Sequence, residues 1–197
     1  MNLAKVVLGS LLLAATPLAA QADLSYSYVD LNWVNLEADS DALGIDEDAD
    51  GFGLSGSVGF GESFFGFVDY RTVEGDVFGT DFDIDQASVG IGGHYGISDN
   101  ADLVGRVGYT QFDASVSGFG SEDIDGFLLS VGARGQLGDS FELEGHIVYT
   151  DLGDDGGDDT SFVVAGRYYF TERFAVGAGL ETGDDFEFWH AGIRFTF

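Results

Sequence analysis

Few side chains in this sequence are suited to chemistry. It has three histidines (His94, His146 and His190), no cysteine, one lysine and six arginines against 35 acidic residues. His146 shares an alternation phase with Glu142 and Glu144, and His190 follows Asp184 and Asp185 closely. A hydrolase would need one of these imidazoles to serve a nucleophile while an acid orients it. No serine stands beside a histidine with such an acid in the sequence, and three dispersed histidines lack metal-ligand spacing. No catalytic residue and no cofactor is therefore expected. A hydrolase at one rim, built on His146 or His190, stays as the alternative, and His94 reads as a residue lining an interior.

Two other groupings carry charge. Asp46, Asp48 and Asp50 in "DEDADG" match the opening D-x-D-x-D-G of a calcium loop, but its twelfth position is Ser57 rather than Glu. They are the metal candidates, with weak binding of divalent cations as the milder reading. Arg71, Arg106, Arg134, Arg167 and Arg194 fall in phase with Asp30, Asp69, Glu142, Glu144, Glu181 and His146. That spacing suits a charge network facing a common interior, either as a plug of paired ions or as the lining of a narrow water path. Glycines on the same face (Gly53, Gly59, Gly90, Gly92, Gly108, Gly132, Gly177 and Gly179) are expected to add space there.

What positions these residues is a repeated alternation. Ten segments of about 9–12 residues alternate with period two, the mark of strands with two unlike faces. They begin near Ser25, Gly51, Phe64, Gln86, Leu103, Gly126, Phe141, Ser161, Phe174 and Phe188. Short gaps (61–63, 97–101, 138–140, 171–173) alternate with long acidic ones (36–50, 73–85, 113–125, 151–160, 182–187), as in an up-and-down meander. One face is aliphatic, with Leu54, Val89, Ile91, Leu129, Ile147 and Ile193 among its members. Its aromatics sort into two levels. Phe60, Phe64, Tyr95, Phe141, Phe170, Phe174, Phe195 and Phe197 lie by the short turns, while Trp33, Phe52, Tyr70, Tyr109, Phe127, Tyr149, Phe162 and Trp189 lie by the long gaps. Two aromatic levels with aliphatics between them match the two interfaces of a lipid layer. An apolar exterior over a polar interior requires closure, because an open edge would leave backbone groups unpaired in hydrocarbon.

The expected fold is therefore all-β: a transmembrane antiparallel up-and-down β-barrel of ten strands, with eight as the alternative, short periplasmic turns and long acidic extracellular loops. The N-terminal "MNLAKVVLGSLLLAATPLAAQA", a basic residue followed by a short apolar run and an A-x-A site, reads as a cleaved signal peptide over residues 1–22. The barrel domain then covers 23–197. The net charge of −28 argues against a nucleic-acid partner.

The segments "LSYSYVDLNWV", "DADGFGLSGSVGF", "FFGFVDY", "GGHYGISDNADLVGRVGY" and "HAGIRFTF" together resemble the small outer-membrane β-barrel proteins, such as the OmpX-like proteins and the transmembrane domain of OmpA. The resemblance implies a monomer in the cell outer membrane, in contact with lipid and lipopolysaccharide, that meets periplasmic chaperones and the barrel-assembly machinery during biogenesis. His190, Gly192, Phe195 and Phe197 match the C-terminal insertion signal of such proteins. The resemblance says little of activity; the expected role is a structural or surface-interaction one in the envelope, with a porin-like channel for small solutes as the alternative. The departure is the strand number, since those relatives have eight.

Overall fold

The alternation folds as one continuous wall in the computed structural model, which describes residues 24–40, 45–77, 80–118, 120–184 and 186–197. Its strands are β1 (Tyr28–Ser40), β2 (Ile45–Phe60), β3 (Phe64–Val77), β4 (Thr80–Ser98), β5 (Ala101–Val116), β6 (Gly120–Leu137), β7 (Phe141–Asp151), β8 (Asp158–Tyr169), β9 (Phe174–Thr182) and β10 (Phe186–Thr196), with a short helix α1 (Gly153–Gly156) between β7 and β8. Each strand pairs antiparallel with its sequence neighbours, and β1 closes on β10 from Tyr28↔Thr196 to Ala38↔Phe186. Closure leaves the wall no edge, so its backbone groups are satisfied without water. All ten expected strands are in the wall, and the eight-strand alternative falls. Gly61 and Gly138, both at φ +65°, make the tight turns after β2 and β6, where a side chain would be strained.

The strands run longer than the sequence periods suggested. β4 has 19 residues and β6 has 18, and most of the spans 36–50, 73–85 and 113–125, read as long loops, is paired strand. The reason lies in a second alternation inside those spans. Asp81, Asp83 and Asp85 alternate with Phe82, Ile84 and Gln86, so the period of two continues while the polarity of its faces reverses. Between the aromatic levels the outward side chains are apolar: Ile91, Val131 and Ile193 are 58, 53 and 54% exposed. Above Trp33, Phe52, Tyr109 and Phe127 the outward residues become Glu37, Asp50, Glu74, Asp85, Asp113, Asp123, Asp125 and Glu187. At that height the inward side chains instead form an apolar cluster, with Val34, Leu36, Ala49 and Val73 buried and Phe82, Ile84, Phe186 and Phe188 packed on them. The upper third thus has the oil-in, charge-out plan of a water-soluble barrel.

The extra space expected at inward glycines is there at Gly53 and Gly59 but not at Gly90, Gly92, Gly108, Gly132, Gly177 or Gly179. The Phe65 ring lies where a Cβ on Gly92 would sit, 2.2 Å away, and the Phe67 ring covers Gly90 and Gly108 at 2.7 and 3.0 Å. His146 covers Gly132, and His190 covers Gly179. These glycines are seats for rings from neighbouring strands, a cross-strand packing that fills the lumen.

Candidate functional site

Register sets up the charged layer. Pairing places Arg194 opposite Asp30, Arg167 opposite Glu142 and Arg134 opposite Glu144, all on the inward phase. The side chains then cross-link beyond their own pairs. Glu142 on β7 accepts from Arg134 at 2.7 Å, Arg167 at 3.0 Å, Arg194 at 3.2 Å and the Tyr169 hydroxyl at 3.2 Å. Arg194 grips Asp30 with two hydrogen bonds, 2.7 and 2.6 Å, and Arg167 also donates to Glu144 at 3.0 Å. Glu142, Arg134, Arg167, Arg194 and Asp30 are all buried. A second tie spans the lumen: Arg71 on β3 donates to Glu181 on β9 at 2.7 Å. Those strands stand four apart one way round the barrel and six the other. Arg71 also donates to Gln86 and lies over the Phe188 ring, 4.0 Å from its centroid, while Ser161 donates to Glu181 at 2.8 Å.

Five inward arginines thus share the barrel with Asp30, Asp69, Glu142, Glu144 and Glu181, and Asp102 lies apart from them beside His94. In a dry interior this balance matters, because an ion left without its partner costs roughly 3–5 kcal/mol. One couple is looser. Among the described residues Arg106 enters no ion pair; its Nε is buried without a partner, and its guanidinium stacks over Phe65 and Phe67 at 5.8 and 5.5 Å. Asp69 faces the lumen opposite Ser55 in the β2–β3 register.

The histidines occupy three different settings. His146 is buried, its Nδ1 lies 3.3 Å from Ser130 Oγ, and its Nε2 has no partner. This Ser–His proximity was invisible in the sequence, because it arises from the register that sets Gly132 opposite His146. It sits inside the lumen rather than at a rim, and among the described residues no acid holds the second nitrogen. His94 contacts Asp102 at 3.1 Å and stacks on Tyr26 with ring centroids 4.0 Å apart. His190 borders a water-sized void of about 10 Å³ together with Asp30, Asn32 and Arg194. Of the three candidate metal-binding aspartates, Asp50 accepts from Asn35 at 3.1 Å, while the side chains of Asp46 and Asp48 lie outside the described residues. Among the described residues no three side chains are grouped to hold a metal ion. At the C-terminus, Gly192 lets Asn32 and the Leu31 carbonyl approach, and Phe195 packs on Phe174 at 5.0 Å and on Phe197 at 6.2 Å.

Sequence reading missed an apolar cluster inside the lumen. Tyr26, Phe65, Phe67, Val104 and Leu128 form it beside Arg106 and Arg134, with Leu24 packed against it. The signal was present in the apolar residues on both phases of "FFGF" at 64–67, where Phe65 and Phe67 alternate with the outward Phe64.

The sequence profile of the outer membrane protein beta-barrel domain family matches residues 6–170. No curated protein matches the chain in sequence. Among solved structures, the NanC porin superposes with a TM-score of 0.56 at 7% identity, over 86% of this chain and 100% of that one. The transport unit of the autotransporter AIDA-I from Escherichia coli gives 0.53 at 12% identity, over 98% and 97%. The attachment invasion locus protein Ail of Yersinia pestis gives 0.47 at 17% identity, over 87% and 100%. At these identities the likeness is one of fold.

Proposed function

The chain belongs to the outer membrane protein beta-barrel domain family, and from that premise we propose that it serves the cell envelope as a structural or surface-interaction protein with a closed lumen. One observation carries this reading: Glu142 gathers Arg134, Arg167 and Arg194 into a single buried knot. The tie between Arg71 and Glu181 and the apolar cluster around Phe65 back it. Paired ions that share hydrogen bonds resist separation in a dry interior, so the layer acts as a permanent partition, although Arg134 Nε stays without a partner. The outward acids above the upper aromatics meet the headgroup region of the membrane and the medium outside it. They would face lipopolysaccharide, with divalent cations between the two negative surfaces.

Several further features belong to the same proposal. The chain acts as a monomer, is exported by a signal peptide cleaved after residue 22, and is inserted by the barrel-assembly machinery reading His190, Gly192, Phe195 and Phe197. It performs no catalysis. Planar-bilayer recording of the purified barrel tests the central claim. The expected record is flat at every voltage; stable conductance steps would overturn it. The competing reading is a porin-like channel for small solutes, favoured by the likeness in fold to the NanC porin and by the density of lumen charge. Steps abolished or rescaled by Arg71→Ala or Glu181→Ala would establish that reading instead.

A further inference from the structure

The segment leading into β1 does not continue along the wall. Residues 24–27 turn into the periplasmic mouth and fill it. Tyr26 is 7% exposed, and its ring is held between His94, at 4.0 Å, and Phe65, at 4.9 Å. Its hydroxyl donates to Asp102 Oδ2 at 2.8 Å, and the Arg134 guanidinium lies 5.0 Å from its centroid. The backbone of the segment is fastened by side chains as much as by sheet. Ser57 Oγ donates to the Tyr26 carbonyl at 2.7 Å, and Arg134 donates to the Ser25 carbonyl at 2.8 Å. Gly59 N donates to Ser27 Oγ at 3.1 Å, and only the bond from Phe197 N to the Ser27 carbonyl, 3.0 Å, resembles ladder pairing.

We propose that Leu24–Ser27 is a displaceable stopper in the periplasmic mouth, a closure separate from the ion layer, whose withdrawal admits water to Val104 and Arg134. This extends the closed-lumen reading and rests on it. Three observations point this way. Residues 24–27 lie outside the paired register, which begins at Tyr28, so withdrawing them breaks no strand pair. Its main apolar anchor is one ring, and the pocket that receives that ring has a polar side, Asp102 and His94, able to hydrate once the ring leaves. Arg134 meanwhile joins stopper to ion layer, donating to Ser25 on one side and to Glu142 on the other. A segment outside the strand ladder can open locally while the surrounding wall stays folded.

The chain has no cysteine, so single thiols report without background. Val104 is 1% exposed beneath the stopper. In the folded barrel, a Val104→Cys thiol should react slowly with a charged, membrane-impermeant reagent. Adding Tyr26→Ala should speed that reaction by about tenfold or more, with the electrophoretic mobility of the folded form unchanged. Equal rates with and without Tyr26→Ala would overturn the stopper. A separate variant, Tyr26→Cys alone, tests displacement without relying on the alanine variant folding. It should react readily with the same reagent, and a rate as slow as that of Val104→Cys would show a static plug and sink the proposal. The ion layer is read independently: the bilayer record of Tyr26→Ala should stay flat if that layer closes the lumen by itself. Conductance steps in that variant, with the parent silent, would leave the stopper standing as the only closure and refute the partition assigned to the Glu142 knot.

Discussion

Glu142→Gln is the most direct test of how the lumen is held. The substitution keeps the shape and one oxygen acceptor but removes the charge that Arg134, Arg167 and Arg194 share. Those arginines are not equally exposed to the loss. Arg194 keeps its two bonds to Asp30, and Arg167 keeps Glu144. Arg134 keeps only the Ser25 carbonyl among the hydrogen bonds described above. One buried guanidinium is thus left without a carboxylate, and breaking a buried pair from one side costs roughly 3–5 kcal/mol. The double variant Glu142→Gln/Arg134→Met removes the stranded charge as well and should recover most of that loss, since apolar replacement of a buried pair is often neutral or better. Denaturant unfolding in lipid vesicles measures both, with Trp33 and Trp189, each about half exposed on the outer face, as reporters. A Glu142→Gln barrel within about 0.5 kcal/mol of the parent, the range of ordinary surface changes, would mean that water already reaches the knot. The account of a dry partition would then be wrong.

Other expectations can be checked with the same preparation. Gly90→Ala puts a Cβ 2.2 Å from the Val107 carbonyl and 2.7 Å from the Phe67 ring, and overpacking of this kind costs about 1–3 kcal/mol. Gly105→Ala, on the outward face with nothing nearer than 3.9 Å, should be tolerated in the same unfolding assay. Asp113, beyond the upper aromatics, has its pKa raised by a hydrogen bond with Asp123. Its folded form therefore holds a proton more firmly than the unfolded chain, so the β5–β6 tip loses stability as pH rises from the unfolded to the raised folded value, and regains it on acidification. Amide exchange at that tip should slow as pH falls through this window, after correction for intrinsic rates; Asp123→Asn should abolish the dependence, and a flat profile in the parent counts against it. Spin labels at Ile91, Leu129 and Ile147 should be relaxed by lipid-soluble oxygen, and labels at Glu74 and Asp123 by a water-soluble nickel complex. The opposite pattern at either set would reverse the assignment of faces.

The sequence made the wall readable because a strand shows both faces at once. Ile91 and Val131 stand between glycine or polar residues, so their outward phase and the closure of the sheet follow from alternation alone. The same criterion hid the upper third. In "TDFDID" the apolar and acidic residues also alternate, but charge density marks the stretch as loop, and only pairing with β5 shows Phe82 and Ile84 to be core. The inward glycines misled for a related reason. A glycine's space belongs to whichever neighbour leans over it, and that Phe65 leans over Gly92 depends on register between strands. The Ser130–His146 approach and the stopper were illegible on the same ground, since each joins residues whose proximity no local period encodes.

The reversal of faces along single strands fixes how deep the molecule rides. A barrel apolar along its whole height could bob or lean with little penalty. Here Asp85, Asp113 and Asp123 sit only a few residues above Tyr109 and Phe127 on the same outer surface. Sinking by one turn of the pleat would drag carboxylates toward acyl chains, and tilting would do so on one flank, a penalty that grows with depth. The acids act as a waterline, and the molecule is ballasted upright in whatever bilayer receives it.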